Sequence, residues 1–300
     1  MSHNFIDIHT HGIGNFDTRT DNPEDILKMA ELHGRKGTRG ILPTIYPASI
    51  AEMRKNMEAV RKAMESQIYG LKSQSATIIG INLEGPFLNP LRCGAMDKKS
   101  FISPSASSLK KLISGYEDII RIITVAPEVK GALKIIEKCV EFGIKVNMGH
   151  SDATYRQAVE GKKAGATGIT HIFNAMRPFH HREPGLAGFG LLDEDIYIEV
   201  IADGVHLHSK TLELIFSKKR LDKIMLVSDS VSPVRKAGRG FFSNGVKGGK
   251  GLAVYKKAGI LAGSGITLAD SIKILKHIGI PEAEIIEAAV ENPERYLSLM

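Results

Sequence analysis

The chain has 300 residues, of which 43% are hydrophobic, and it carries a formal net charge of +7. This length suits one β/α barrel of roughly 250 residues, so we expect residues 1–300 to form a single domain. No apolar run approaches the roughly 20 residues of a membrane span, no signal peptide is recognisable and only two cysteines are present, which together favour a cytoplasmic protein. The positive charge indicates a solvated basic surface or attraction of an anionic substrate, because no module for binding nucleic acid accompanies it.

Strand-like and helix-like runs alternate along the chain, which favours a parallel sheet. Strands are predicted at residues 5–9, 40–44, 77–83, 119–125, 145–148, 168–171, 197–201 and 223–227. Helices are predicted from residue 23, with Asn22 as N-cap, and at residues 50–69, 130–142, 153–164, 267–277 and 282–291. Eight strands are the number that a closed (β/α)8 barrel needs. An open doubly wound sheet is the alternative, but no glycine-rich dinucleotide loop follows the first strand.

Two loops and one late segment are rich in glycine and proline. The loops follow the third and sixth strands and read GPFLNPLRCGAMDKKS and NAMRPFHHREPGLAG. Loops at the C-terminal face of a barrel usually build its active site. The late segment, around residues 241–265, is predicted to form an irregular hairpin with short strands.

Five segments carry metal-capable side chains at or just after a strand end. They are IDIHTH with His9 and His11, INLEGPF with Glu84, VNMGHSDAT with His150, GITHIFNAM with His171, and IMLVSDS with Asp229. Because the strands of a parallel barrel all point the same way, these side chains are expected to converge on one mouth. Imidazoles and carboxylates gathered there can hold a metal and activate a water molecule, so the pattern predicts a metal-dependent hydrolase.

Each of these residues also has a structural interpretation when it is taken alone. The two histidines at the first strand could be structural, Glu84 could form a buried salt bridge, and Asp229 could cap a helix. The functional interpretation of Asp229 is a general base that takes a proton from the attacking water. His206 lies beside the predicted mouth and could contact substrate, and Arg182 is either a clamp for an anion or an exposed loop residue.

The motifs resemble those of the N-acetylglucosamine-6-phosphate deacetylase family of the amidohydrolase superfamily. The resemblance rests on IDIHTHG, LEGPFLNP, TVAPE, GHSDAT, THIFNAM, HREPGLAG, ADGVHLH, LVSDSVSP and LAGSGITLADS, which occur in the family's order. It implies a barrel of the amidohydrolase type. It also implies a main divalent metal, usually zinc with iron or manganese as alternatives, held by Glu84, His150 and His171. His9 and His11 would serve a second metal position.

The resemblance also implies the roles of the remaining site residues. Asp229 would be the catalytic acid and base, and Asn174, Ala175 and His206 would contact the sugar phosphate. Arg182 would reach the phosphate from the partner subunit of a homodimer. The implied reaction is hydrolysis of N-acetylglucosamine 6-phosphate to glucosamine 6-phosphate and acetate.

The chain departs from the family pattern at two points. The family's small β-sandwich domain is expected to be missing or vestigial, because the first strand begins near residue 5 and the last helix is followed by only a few residues. Met96 stands where the family commonly has a histidine that contacts the acetyl group, and a thioether cannot donate a hydrogen bond. Two alternatives therefore stay open: an amidohydrolase for a different N-acyl amino sugar or a cyclic amide, and a non-catalytic barrel that binds a sugar phosphate.

Overall fold

The computed structural model describes residues 4–70, 74–232, 241–243, 253–256 and 259–299. Eight parallel strands pair with one another in the order in which they occur along the chain. They are β1 (Phe5–Thr10), β2 (Thr38–Ile45), β3 (Ile81–Leu83), β4 (Ile120–Val125), β5 (Lys145–Met148), β6 (Gly168–Ile169), β7 (Tyr197–Ile201) and β8 (Ile224–Val227). Their residues are almost all buried, as expected for a sheet covered on both faces.

The barrel is closed by backbone contacts between β1 and the end of β8. The amide of Asp229 donates to the carbonyl of His9 at 2.9 Å, and the amide of His11 donates to the carbonyl of Ser230 at 2.8 Å. These bonds join the first strand to the last and bring two predicted site residues side by side. The predicted (β/α)8 barrel is confirmed, and the open doubly wound sheet is wrong.

Ten α-helices surround the described barrel. They are α1 (Pro23–Gly34), α2 (Ile50–Gly70), α3 (Ala106–Ile113), α4 (Ala132–Glu141), α5 (Tyr155–Lys163), α6 (Gly185–Leu192), α7 (Ser209–Lys218), α8 (Leu268–His277), α9 (Glu282–Ile286) and α10 (Asn292–Leu297). The start of α1 is the predicted one: the Asn22 side chain accepts a hydrogen bond from the amide of Glu24, and Pro23 occupies the first turn. None of the described helices is long and apolar enough to cross a membrane.

Several elements differ from the prediction, among them α3 and α7, for which no helix was predicted. The strand predicted at residues 77–83 is broken into Thr77–Ile78 and β3, because Gly80 lies between them with φ of 139°. Helix α6 lies where the sequence predicted only a loop, and its glycines allow close packing: a Cβ on Gly188 would lie 2.2 Å from the Cβ of Pro184. The helix predicted at residues 282–291 continues through a π-helical turn into α10.

A three-stranded antiparallel sheet follows the barrel. It consists of β9 (Phe241–Ser243), β10 (Ala253–Lys256) and β11 (Leu261–Ser264), in agreement with the short strands predicted there. The glycine-rich residues 244–252 of that prediction lie outside the described residues. A bridge between Ser230 and Ser264 joins this sheet to the loop after β8. The described ranges contain no β-sandwich.

Candidate active site

The five predicted metal ligands and the predicted catalytic residue, Asp229, meet at the C-terminal mouth of the barrel. They lie at or just after the ends of five strands: His9 and His11 at β1, Glu84 after β3, His150 after β5, His171 after β6, and Asp229 after β8. None of them is more than 8% exposed. The convergence that strand polarity predicts is therefore present, and it gathers four imidazoles and two carboxylates in a largely buried place.

Glu84, His150 and His171 form the first ligand group. The Oε1 atom of Glu84 lies 3.0 Å from Nε2 of His150 and 2.9 Å from Nε2 of His171, and the two Nε2 atoms are 3.2 Å apart. Tetrahedral ligands bound at 2.0–2.1 Å to one zinc ion lie about 3.4 Å from one another. The spacing of these three atoms therefore fits a shared divalent metal.

His9, His11 and Asp229 form a second ligand group beside the first. The Nε2 atoms of the two histidines are 3.3 Å apart, and Oδ1 of Asp229 lies 3.6 Å from His9 and 3.5 Å from His11. Oε2 of Glu84 is 3.0 Å from Nε2 of His11, so the Glu84 carboxylate has one oxygen toward each group. Two neighbouring ligand groups that share the Glu84 carboxylate are suited to hold either one metal ion or two.

Hydrogen bonds behind the ligands set the direction of three imidazoles. The Nδ1 atoms of His9, His11 and His150 each lie within 2.9 Å of an acceptor oxygen, which belongs respectively to the Glu199 carboxylate, the Thr44 carbonyl and the Arg92 carbonyl. With the proton held on Nδ1, the lone pair of Nε2 is free to face a metal. Nδ1 of His171 has no partner within the described ranges. The donor set therefore fits a metal, with three of four imidazoles fixed from behind.

The electrostatics of the site favour a cation. Burial acts to lower the pKa of His9, but the carboxylates of Glu199, Asp229 and Glu84 outweigh burial and raise the pKa to about 10. Burial likewise acts to raise the pKa of Glu84, yet hydrogen bonds and charge interactions with His11 and His150 hold it well below its usual range. Positive charge is stabilised here, whether it is carried by a proton or by a metal ion.

Three site residues adopt a backbone conformation that most side chains avoid. His150, His171 and Asp229 have φ of 47°, 29° and 45°, and each lies two residues beyond the end of its strand. Residues in this left-handed region are uncommon and cluster at functional sites, where the surrounding structure holds them. The turns point the three side chains into the mouth, and no sequence motif foretold them.

A cavity of about 1020 Å³ opens above the two candidate metal-binding groups. Asn174, Ala175 and His206, which the sequence assigned to substrate, line this cavity together with Met96. Nδ1 of His206 lies 2.6 Å from Oδ2 of the buried Asp203, which fixes the ring. Arg182 is exposed in the loop before α6, beside His181, and does not line the cavity of this chain.

Sequence reasoning missed the buried carboxylate of Glu199. Its oxygens lie 2.8 Å from Nδ1 of His9 and 2.7 Å from the amide nitrogen of Asn147, and the backbone amide of His171 donates to it at 3.3 Å. One side chain thus supports both ligand groups. The signal was present in YIEVI, where a single carboxylate interrupts a strand that is otherwise apolar.

A closed barrel with imidazoles and carboxylates gathered at its C-terminal mouth defines a metal-dependent hydrolase scaffold. The sequence model of the amidohydrolase family matches residues 4–300 of this chain. The chain belongs to the amidohydrolase family.

Curated relatives and solved structures narrow the comparison. An N-acetylgalactosamine-6-phosphate deacetylase of Escherichia coli O157:H7 is 30% identical over 98% of this chain and 77% of its own length. An N-acetylglucosamine-6-phosphate deacetylase of Lysinibacillus sphaericus is 31% identical over 98% of this chain and 76% of its own. The structure of N-acetyl-D-glucosamine-6-phosphate deacetylase from Mycobacterium smegmatis superimposes with a TM-score of 0.84 at 29% identity, covering 98% of this chain and 78% of that one.

Proposed function

We propose that this protein hydrolyses the N-acetyl group of N-acetylglucosamine 6-phosphate, which yields glucosamine 6-phosphate and acetate. The observation that carries the proposal is the meeting of four histidines with Glu84 and Asp229 beneath an open cavity. The names of relatives that match 98% of the chain support the substrate. The relative named for the galactosamine epimer keeps that epimer as a second candidate substrate.

A divalent metal, for which we propose zinc with iron or manganese as alternatives, would be held by Glu84, His150 and His171. His9 and His11 would hold a second ion. When bound, such a metal polarises the amide carbonyl and makes water more acidic.

The proton transfers fall to Asp229. Asp229 is 8% exposed and lines the cavity, so its carboxylate would be within reach of both the attacking water and the amine that leaves. It would accept the proton as the water oxygen bonds to the acyl carbon, and then donate it to the amine nitrogen as the carbon–nitrogen bond breaks. The hydrogen bond from its backbone amide to the His9 carbonyl holds the main chain of Asp229 beside β1.

Substrate orientation would come from the β6 and β7 side of the mouth. Asn174, Ala175 and His206 line that wall, and the Asp203 carboxylate holds the His206 ring. We propose that Arg182 contributes to the phosphate site from the partner subunit of a homodimer, because its side chain is exposed rather than turned into its own cavity. The net charge of +7 favours the approach of a phosphorylated sugar, and a cytoplasmic location suits such a metabolite.

The test is acetate release from both phosphorylated N-acetyl amino sugars with zinc, iron and manganese. Asp229→Asn should still bind metal at Glu84, His150 and His171 and lose at least about 100-fold in turnover, since general acid and base catalysis is worth that much. Asp118→Asn, a surface carboxylate paired with Arg61, is the matched control. Near-normal turnover of Asp229→Asn would refute its role. Hydrolysis of other acylated amines but of neither sugar phosphate would favour the broader amidohydrolase, and absence of metal would favour the binding barrel.

A further inference from the structure

The motif TVAPE lies at the end of β4 and in the segment that follows it, and it supplies none of the predicted site residues. Its last residue, Glu128, lies three positions beyond β4 and is half-buried. Because β4 lies between β3 and β5 in the barrel, Glu128 lies between the segment that carries Glu84 and the segment that carries His150.

Glu128 joins the segments after β3 and β5 through three hydrogen bonds. Its Oε1 atom accepts from the side-chain amide of Asn89 at 2.8 Å and from the backbone amide of Asp152 at 2.6 Å. Its Oε2 atom accepts from the hydroxyl of the fully buried Ser151 at 2.7 Å. Hydrogen bonds to an ionised carboxylate are stronger than those between neutral groups, so Glu128 is a firm anchor for both segments.

The segments that Glu128 joins hold His150 from two sides. The backbone amide of Asn89 donates to the carbonyl of His150 at 3.0 Å, and the carbonyl of Arg92 accepts from Nδ1 of the His150 ring at 2.8 Å. The side chain of Arg92 in turn donates from Nε to the Asp152 carboxylate at 2.7 Å. Both the main chain and the ring of His150 therefore depend on how the turn at residues 89–92 lies against residues 151 and 152.

His150 needs this support because its backbone is strained. Its φ of 47° lies in the left-handed region, where a residue persists only if the surrounding structure holds it. The hydrogen bonds of Glu128 fix the two residues that follow, so the chain cannot relax into an extended path. The ring is thereby kept where its Nε2 atom lies 3.0 Å from Oε1 of Glu84.

We propose that Glu128 is a positioning residue for the metal site, which holds the turn at His150 in the geometry that brings its ring to Glu84 and His171. This inference rests on the proposed function, in which these three residues share a metal ion. Glu128 touches no ligand atom and acts on the backbone that carries one of them. Without Glu128, metal binding would also have to order this turn, and that cost would lower the affinity.

The test compares the zinc affinity of the metal-free full chain with that of its variants, by competition against a chelator of known affinity. Glu128→Ala should weaken zinc binding about tenfold, at the lower end of the range for changes behind metal ligands, because Glu128 acts through the main chain. Glu128→Gln should stay within about threefold, since its oxygen can still accept from Asn89 and Asp152 while its NH2 donates to the Ser151 oxygen. Glu137→Ala, at an exposed position of α4, is the matched control and should leave the affinity unchanged.

Asn89→Asp tests the same contact with Glu128 in place. The new side chain keeps the oxygen that accepts from the backbone amide of Leu91, but it presents a second carboxylate to Glu128 where a donor was. It should weaken zinc binding as Glu128→Ala does, and it should add little to that variant because both changes act on one contact. Asn89 is half-buried and keeps its capping oxygen, so this variant should fold even if Glu128→Ala does not.

A purely structural role of Glu128 would give a different result. Glu128→Ala would then lower the free energy of unfolding of the metal-free chain in urea and leave the zinc affinity of the folded protein unchanged. The positioning role predicts instead that saturating zinc restores the turnover of Glu128→Ala to within about twofold of the unmodified protein, because mass action refills the site.

The outcomes distinguish this inference from the proposed function. Zinc affinities of Glu128→Ala and Asn89→Asp within about twofold of the unmodified protein would overturn the positioning role and leave the proposed function standing. An equal loss in Glu137→Ala would also overturn it, because the loss would then not depend on the contact with Asn89. Failure of the unmodified chain to bind zinc, iron or manganese would overturn the proposed metal site, and the role of Glu128 with it.

Discussion

The substitution Glu199→Gln is expected to weaken metal binding without touching a ligand atom. The two Glu199 oxygens accept from Nδ1 of His9 at 2.8 Å and from the amide nitrogen of Asn147 at 2.7 Å. A glutamine side chain has one oxygen and one NH2 group. At one of these two contacts, the NH2 would therefore face the N–H of His9 or of Asn147, and two donors would oppose each other. If the NH2 faces His9, the imidazole proton must move to Nε2, where the metal would bind. If it faces Asn147, that amide must turn away from its bond with the Tyr296 hydroxyl.

The expected loss follows from the bond that is removed. Hydrogen bonds to charged groups contribute about 1.5–3 kcal/mol, which corresponds to roughly 10- to 150-fold in affinity. Changes behind metal-binding histidines typically cost about 10–100-fold in metal affinity. We therefore expect zinc to dissociate from Glu199→Gln about 30-fold more readily, which lies within both ranges.

Competition against a zinc chelator of known affinity measures this change in the dissociation constant. Glu213→Gln, a surface carboxylate paired with Lys210, is the matched control and should bind zinc as the unmodified protein does. Tyr296→Phe removes only the far end of the network and should cost less than Glu199→Gln. An affinity for Glu199→Gln within twofold of the unmodified protein would refute the view that Glu199 holds the His9 tautomer.

Three further predictions concern stability and substrate recognition. Burial lowers the pKa of His33 to about 4, so stability contributed by its neutral form is present above the unfolded value near 6.5 and is lost as pH falls toward 4. Between pH 7 and pH 4.5, the free energy of unfolding measured with urea should fall by about 2.5 kcal/mol less for His33→Gln than for the unmodified protein. The control His277→Gln, at an exposed position, should lose as much as the unmodified protein. Equal losses for all three proteins would refute this prediction. Gly149→Ala should lower the free energy of unfolding by about 1–3 kcal/mol, because its Cβ would lie 2.7 Å from that of Thr170; an unchanged urea midpoint would contradict this. Arg182→Ala should raise KM for phosphorylated sugars far more than for neutral ones, and equal effects would remove it from the phosphate site.

The convergence of ligands could be predicted because it depends only on strand polarity. Once β1, β3, β5, β6 and β8 are parallel, residues at their C-terminal ends must share one mouth. The helix start at Pro23 was equally accessible, since its cap depends on neighbouring residues. These features follow from local pattern and from the direction of the chain.

Features that depend on contacts across the barrel could not be predicted in this way. The division of the Glu84 oxygens between two ligand groups depends on side-chain angles that no motif encodes. The pairing of His9 with Glu199 joins residues 190 positions apart. Helix α6 was missed because its glycines read as loop, whereas close packing against Pro184 and buried neighbours makes them suitable for a helix.

The left-handed turns at His150, His171 and Asp229 restrict how the proposed metal centre could be redesigned. Asparagine, aspartate and histidine tolerate that backbone geometry better than other side chains apart from glycine. Replacing these residues by cysteine or glutamate, in order to bind a softer or a harder metal ion, would strain the backbone, whatever the affinity of the new side chain for the ion. Engineering of metal preference should therefore begin at Glu84 or at the β1 histidines, whose backbone does not adopt the left-handed conformation.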